Sequence, residues 1–267
     1  MSYPVMLGAV VLQTAKVLRF TEGAGPPNNA TIAAGTYYLR GDGGADDLCL
    51  VLKNALENAG ASTNTYTVTV AWSVDPAIAG ALITITRATG ADNFGVLWAD
   101  SATTFDEALL GFSANDTINA TAKTSTKSCA AAWVCNDIAR EIEPQSERVV
   151  SVPRAVSGRV QGVTRSARMQ SWRLGLAFVD QRRMLVKRAL AGTQDTLEGF
   201  MERFGAGSAF ELHEAQISTG TTLAALSSST RVDVVHFSED ALTEFTPQRL
   251  GPGVALYSLD LVLHTKV

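Results

Sequence analysis

Residues 172–181 read WRLGLAFVDQ and residues 193–214 read TQDTLEGFMERFGAGSAFELHE, and together they predict a strand, a helix and a second strand. The helix is predicted over residues 195–204, because Asp195 is a good N-cap and Glu198 follows three positions later, as in a capping box. Its apolar residues recur at i, i+3, i+4 and i+7, namely Leu197, Phe200, Met201 and Phe204. Such a stripe needs a partner layer, so we expect the helix to cover one face of a β-sheet.

The composition favours a β-rich protein that contacts neighbouring molecules. Of the 267 residues, 46% are hydrophobic and only 18% are charged, so Ser, Thr, Ala and Gly must supply much of the surface. A chain of this length buries a sizeable core without covalent cross-links. The three cysteines lack CxxC spacing, which argues against a disulfide framework or a zinc site and favours reduced, cytosolic synthesis. The apolar run at residues 5–12 lacks the basic flank of a signal peptide and is too short to span a bilayer.

The charges are unevenly distributed along the chain. Residues 148–188, which we call the basic belt, hold ten basic residues and one acid, whereas residues 1–147 carry a net charge of −7 and residues 189–267 a net charge of −6. The belt could contact the phosphates of nucleic acid, dock on the acidic parts of a neighbouring copy, or remain a solvated face. Because aromatic residues are sparse in it, docking is favoured over nucleic acid. The candidate interface residues are Arg148, Arg154, Arg159, Arg165, Arg168 and Arg173.

The sequence predicts four parts. Residues 1–35 form an N-terminal strand and a loop, and residues 36–112 form a small α+β module. Residues 113–147 are a linker region, since they begin with the polar, low-complexity stretch SANDTINATAKTSTKSCA. Residues 148–267 form a β-rich core that carries the predicted helix and begins with a long twisted hairpin arm. The fold class is therefore α+β and β-rich.

The α+β module is predicted in more detail. A helix follows the turn GDGGADD, in which Asp46 and Asp47 lie favourably near the positive helix N-terminus, and it stops at Gly60. A β-strand follows, with its apolar side chains on one face: Tyr66, Val68, Val70 and Trp72. Thr104 and Glu107 are spaced as a second capping box, which predicts a helix of one or two turns.

No arrangement of residues predicts catalysis. The G-x-S-x-G, Walker A and H-E-x-x-H patterns are absent from the sequence. The three histidines, His213, His236 and His264, fall in predicted strands or at their ends, where partly exposed positions are expected. The acidic loop at residues 41–47 offers carboxylates for calcium, but not at the spacing of an EF-hand. The tripeptide Arg40-Gly41-Asp42 matches an integrin-binding motif, which a strand-to-turn transition also explains. We expect no enzyme activity and no need for a metal or cofactor in folding or assembly.

These elements together resemble a known family. The unit formed by residues 174–178, 197–204, 210–213 and the closing strand at 257–264 resembles bacteriophage tail structural proteins, the group of tail-tube, distal tail and baseplate proteins. The stretch TYYLRGDGG…YTVTV…LITITR…FGVLWAD…LLGF is similar to insertions found in such proteins. The resemblance implies a β-sandwich or open barrel with one flanking helix and a long hairpin, whose copies join into rings. The acidic module departs from a minimal tube protein, which favours a position at the tail end or baseplate.

The resemblance also implies a location and a set of partners for the chain. The chain would be a virion protein of the tail, assembled in the host cytoplasm, with copies of itself and other tail proteins as partners and no membrane. Two alternatives remain open. One is a neck or capsid accessory protein, and the other is a carbohydrate- or receptor-binding module in which Trp72 and Trp98 act as stacking platforms. Because both tryptophans share strand parity with neighbouring valines, core packing is the favoured role for them.

Overall fold

The computed structural model describes residues 2–60, 62–75, 80–134, 143–147, 150–151, 164–165, 169–180, 197–204, 208–228, 232–237, 246–251 and 254–265. The first strands are β1 (Ser2–Gly8), β2 (Val10–Leu12), β3 (Lys16–Glu22), β4 (Asn28–Ile32), β5 (Gly35–Tyr37), β6 (Thr65–Ser73), β7 (Gly80–Thr89) and β8 (Phe94–Val96). The later strands are β9 (Ala122–Thr124), β10 (Ala132–Val134), β11 (Glu143–Glu147), β12 (Val150–Ser151), β13 (Thr164–Arg165), β14 (Met169–Asp180), β15 (Phe210–Thr219), β16 (Thr222–Leu223), β17 (Val232–Phe237), β18 (Thr246–Gly251) and β19 (Val254–Thr265). The helices are α1 (Leu48–Glu57), α2 (Leu197–Arg203) and two short 3-10 helices, Glu107–Leu110 and Leu226–Ser228.

Twelve of the described strands form one curled sheet that makes a half-barrel. Its strand order is β11-β14-β19-β17-β15-β16-β6-β7-β9, with β1 beside β15, β10 beside β1 and β18 beside β19. Three smaller sheets, β4-β3-β8, β2-β5 and β12-β13, complete the described strands. The predicted β-rich α+β fold is therefore confirmed. The three-stranded sheet and α1 belong to the N-terminal half of the chain, and they bring their own apolar side chains into the same buried cluster as the large sheet.

Strand β15 is central, because β1 pairs with one of its edges and β17 with the other. Its residues alternate between two covered faces. Phe210 and Leu212 are buried on one face, while Glu211 and His213 are buried on the other. When both faces of a strand are covered, successive residues are buried whichever face they point to. This explains why the first four residues of β15 are all buried.

Helix α2 packs its apolar stripe on the large sheet, as the sequence predicts. Phe200 contacts Phe210 of β15 edge-on, with ring centroids 5.5 Å apart, and Phe237 of β17 at 6.2 Å. The ring of Phe204 lies against the Cα of Gly8 in β1, where a Cβ atom would overlap it. A residue without a side chain is thus required at this close approach. The predicted N-cap, Asp195, lies outside the described residues.

The predicted linker at residues 113–147 is wrong for its middle part, which belongs to the core. Trp133 of β10 is fully buried, and β10 pairs with β1. Upstream, the hydroxyl oxygens of Ser125 and Ser128 each accept a hydrogen bond, at 3.0 Å, from the main-chain N–H of Ile83 and Ala81, respectively, in β7. The two serines therefore satisfy main-chain N–H groups of β7. Because their side chains are polar, the sequence of this segment resembles an exposed loop although the segment is buried.

Smaller predictions also need correction. The expected loop after residue 20 contains β4, whose Ala30 and Ile32 are buried although the flanking Asn residues disfavour strands. The short helix near residue 107 is a single 3-10 turn capped by Asp106, because the hydroxyl of Thr104 instead accepts from the N–H of Val17. Helix α1 begins at its predicted place, with Asp47 as N-cap, and ends before Gly60.

Candidate functional site

The structure places two of the six candidate interface arginines in strands. Arg165 ends β13 and lies opposite Val150 of β12. Arg173 lies in β14, with Glu143 of β11 opposite it on one side and Val262 of β19 on the other. The remaining candidates, Arg148, Arg154, Arg159 and Arg168, lie outside the described residues. The antiparallel β12–β13 pair is the base that a hairpin arm between residues 151 and 164 requires, whereas the interface role of the arginines stays a prediction.

A group of charged and aromatic side chains that the sequence did not predict joins the N-terminal half of the chain to β15. This group, the Arg40 cluster, consists of Tyr38, Arg40, Asp46, Glu211 and His213. The guanidinium of Arg40 donates to both oxygens of Glu211, with Nε 2.9 Å from Oε2, and through Nη1 to both oxygens of Asp46 at 2.9 Å. It also lies 4.3 Å from the centre of the Tyr38 ring. His213 Nε2 is 2.9 Å from Oε2 of Glu211, the oxygen that Nε of Arg40 also contacts.

The electrostatics of the Arg40 cluster hold Glu211 ionised. Burial by itself would raise the pKa of Glu211, but the hydrogen bonds from Arg40 and His213 outweigh it and lower the pKa to about 2. The hydrogen bond to Glu211 raises the pKa of Arg40 further above its usual value, against the opposing effect of burial. Burial, and next the charge of Glu211, raise the pKa of Tyr38. Because Glu211 is a carboxylate, Nε2 of His213 must be the donor, and its buried Nδ1 has no hydrogen-bond partner among the described residues.

The Arg40 cluster has a structural role, because it holds residues 38–46 against β15. Each oxygen of Glu211 and each nitrogen that Arg40 directs at a carboxylate is already bonded within the protein. His213 is buried, which corrects the expectation of a partly exposed strand residue, while His236 is half-buried. The signal in the sequence was a glutamate and a histidine inside a strand rich in apolar residues. Their partner could not be found from it, because Arg40 and Glu211 are separated by 171 positions.

The acidic loop at residues 41–47 uses its carboxylates to fold the turn into α1. Asp47 accepts hydrogen bonds from the main-chain N–H groups of Gly41, Gly43 and Cys49. Asp42 accepts from the N–H of Gly44, and Asp46 is bound to Arg40. Within the described ranges, no group of three or more His, Cys, Asp or Glu side chains is placed to hold a metal ion. The carboxylates considered for calcium are thus engaged by the protein itself.

The other candidate side chains lie in the core. Trp72 is 2% exposed and Trp98 is 6% exposed and stacks on Phe112 at 5.3 Å, so neither offers a platform to a sugar ring. Cys49 and Cys129 are buried free thiols, and burial raises the pKa of both, that of Cys129 to about 12. A thiol of this kind is not a nucleophile at neutral pH.

A second buried carboxylate, Glu22, joins β3 to the start of β6. It accepts hydrogen bonds from the hydroxyl of Tyr66 at 2.7 Å, the hydroxyl of Ser62 at 2.8 Å, and the N–H and hydroxyl of Thr63 at 2.7 and 3.0 Å. Burial would raise the pKa of Glu22, but these hydrogen bonds together lower it. All these donors lie at residues 62–66, so Glu22 links the N-terminal part of the chain to the α+β module.

No family model matches the chain, and neither does any curated protein or solved structure. Among the helices of the described part, none has the length and hydropathy needed to cross a membrane. Three features of the molecule bear on its function: the curled sheet, the hairpin base at β12–β13 and the uneven distribution of charge along the sequence.

Proposed function

We propose that this chain is a structural subunit of a bacteriophage tail, and that its copies dock into a ring at the tail end or baseplate. The observation that carries the proposal is the pairing of two strands of 12 residues each, β14 and β19, together with the antiparallel pair β12–β13 that precedes β14 in the sequence. A curled sheet with one flanking helix and such an arm is the architecture that the resemblance implies. The predicted arm belongs to the basic belt, so the hairpin base and the charge of the sequence support the same segment.

Charge complementarity supports contact between copies. The basic belt has a net charge of +9, whereas the two flanking parts of the chain are acidic. An arm that extends from one copy to the acidic surface of the next makes a head-to-tail contact, and such contacts generate a ring when the rotation closes. Exposed ion pairs contribute only about 0–1 kcal/mol each, so the arginines set the register of docking and apolar contacts supply most of the affinity.

The experiment reverses charges within the belt. Mass photometry and electron microscopy of the purified protein measure its assembly, and Arg159→Glu combined with Arg165→Glu is expected to abolish rings while leaving tryptophan fluorescence unchanged. The matched control is Lys16→Glu combined with Lys123→Glu, which makes the same change in net charge outside the belt and is expected to leave rings intact. Wild-type protein that stays monomeric at all concentrations would refute the ring.

A second measurement separates the proposal from nucleic-acid binding. A gel-shift assay with duplex DNA at low and physiological salt is expected to give no shift that depends on Arg159 and Arg165. A salt-sensitive shift that the belt variant loses would show that the arginines contact phosphates, because each such contact releases counterions. If the belt variant forms rings as the wild type does, the subunit interface lies elsewhere on the surface.

A further inference from the structure

An open groove of about 410 Å³ runs between strand β4 and helix α1. Among the described residues, its lining has no charged and no aromatic side chain, and consists of Asn29, Thr31, Ala33, Val51, Asn54, Ala55, Asn58, Ala59 and Gly60. The nearest charged residues on the helix, Lys53 and Glu57, lie 3.9 Å apart and offset each other. The groove is thus electrically neutral, with small residues and carboxamides along it.

The wall formed by β4 is an edge to which, within the described part of the chain, no further strand is paired. In the neighbouring strand β3, the main-chain groups of Val17 and Arg19 bond to residues 97 and 103–105, on the side away from β4. Alternate residues of a strand direct their main-chain groups to opposite sides, so Leu18 and its even-numbered neighbours are the ones that face β4. Their partners in register are Asn28, Ala30 and Ile32.

It follows that Asn29 and Thr31 direct their N–H and C=O groups away from β3 and into the groove. Among the described strands, none pairs with this edge of β4. Both residues also belong to the lining of the groove. The edge therefore presents donors and acceptors that repeat at about 7 Å, the two-residue period of a β-strand.

Helix α1 forms the floor beside this edge. It packs Leu52 and Leu56 into the core, while Val51, Asn54 and Asn58 lie on the adjacent face and line the groove. The side-chain amides of Asn54 and Asn58 make no hydrogen bond with the described part of the chain, and they are one turn apart on the helix. A strand added to β4 would lie over this face, with every second side chain directed at the two amides.

We propose that this groove binds an extended polypeptide segment, which adds to the edge of β4 as a further strand and directs small, uncharged polar side chains at α1. Main-chain hydrogen bonds at a sheet edge supply affinity in this mode, and the helix beneath supplies specificity. Peptide is favoured over saccharide because the groove offers main-chain groups in strand register and lacks an aromatic ring for stacking. The proposal is independent of ring assembly.

The test uses a displayed library of random heptapeptides as the probe. Selection on the full chain, after removal of peptides that bind the Thr31→Pro variant, is expected to enrich peptides with small polar residues at alternate positions. Proline removes the outward N–H of Thr31 without disturbing the pairing with β3 and is tolerated on edge strands. Thr31→Val keeps this N–H and is the matched control. An enriched peptide should bind the proline variant about tenfold or more weakly and the valine variant as tightly as the wild type.

A second measurement does not depend on the stability of a variant. N-methylation of the alternate peptide amides that face β4 should abolish binding, while N-methylation of the other set should leave it unchanged. Failure to enrich any peptide over the proline variant, or equal effects of the two methylated sets, overturns the proposal. Oligosaccharide binding that is lost in Asn58→Ala but kept in Thr31→Pro would overturn it in favour of a saccharide site.

Discussion

Replacing Glu211 by Gln removes the charge at the centre of the Arg40 cluster while keeping the shape of the side chain. The pKa of Glu211 is lowered from 4.5 to about 2 in the folded protein, and its side chain is 10% exposed, so solvent screens the interaction little. A shift of this size corresponds to about 3 kcal/mol of stability at pH 7. The free energy of unfolding of the variant should therefore fall by about 3 kcal/mol. In the variant, Asp46 is the single carboxylate partner of Arg40 among the described residues.

The pH dependence of this loss gives the prediction its direction. A carboxylate whose pKa is lowered by folding stabilises the protein above its unfolded pKa, and the stabilisation disappears as the pH falls through the folded pKa. The difference between wild type and Glu211→Gln should therefore be nearly complete above about pH 5 and shrink to about 1.4 kcal/mol at pH 3.

Urea unfolding followed by tryptophan fluorescence measures this difference at both pH values. Lys53→Met is the control, since it removes a pair 3.9 Å apart on the surface of α1 and should cost less than about 0.5 kcal/mol at either pH. A loss in Glu211→Gln no larger than that of the control, or a loss that is the same at pH 7 and pH 3, would refute the reasoning.

Three further predictions follow from buried side chains. Phe204→Ala should lower the free energy of unfolding by about 3–5 kcal/mol, and an unchanged melting temperature would contradict its packing against the sheet. Tyr66→Phe should cost about 1–3 kcal/mol in urea unfolding, because it removes a donor to the buried carboxylate of Glu22; equal stability would show that water replaces the hydroxyl. Peptide mapping after alkylation at pH 8 should find Cys49 and Cys129 unmodified in the native protein and modified in urea, and rapid native modification would refute their burial.

The clearest local patterns of the sequence were reliable guides to the described structure. The stripe of α2 is buried, β6 buries Tyr66, Val68 and Trp72 while exposing Thr67 and Thr69, and α1 follows the turn at residues 41–47 and packs one face into the core. In each case one element has one buried face, so the spacing of apolar residues reports directly on what that face contacts.

Polar residues in the interior were beyond such patterns. Ser125 and Ser128 are buried because they bond the main chain of β7, more than 40 positions earlier in the chain. A polar side chain is stable inside only if a partner is present, and the identity of that partner is a property of the folded chain.

The sequence by itself determined the β-rich class, the site of the flanking helix and the contrast between the basic belt and its acidic neighbours. Tertiary structure alone decided that Arg40 meets Glu211, that β10 enters the core beside β1, and that one edge of β4, next to α1, has no partner among the described strands. The physical reason is the separation along the sequence over which each interaction acts. Hydrophobic period and capping act within a few residues, whereas ion pairing and strand pairing join segments whose separation along the chain leaves no local mark.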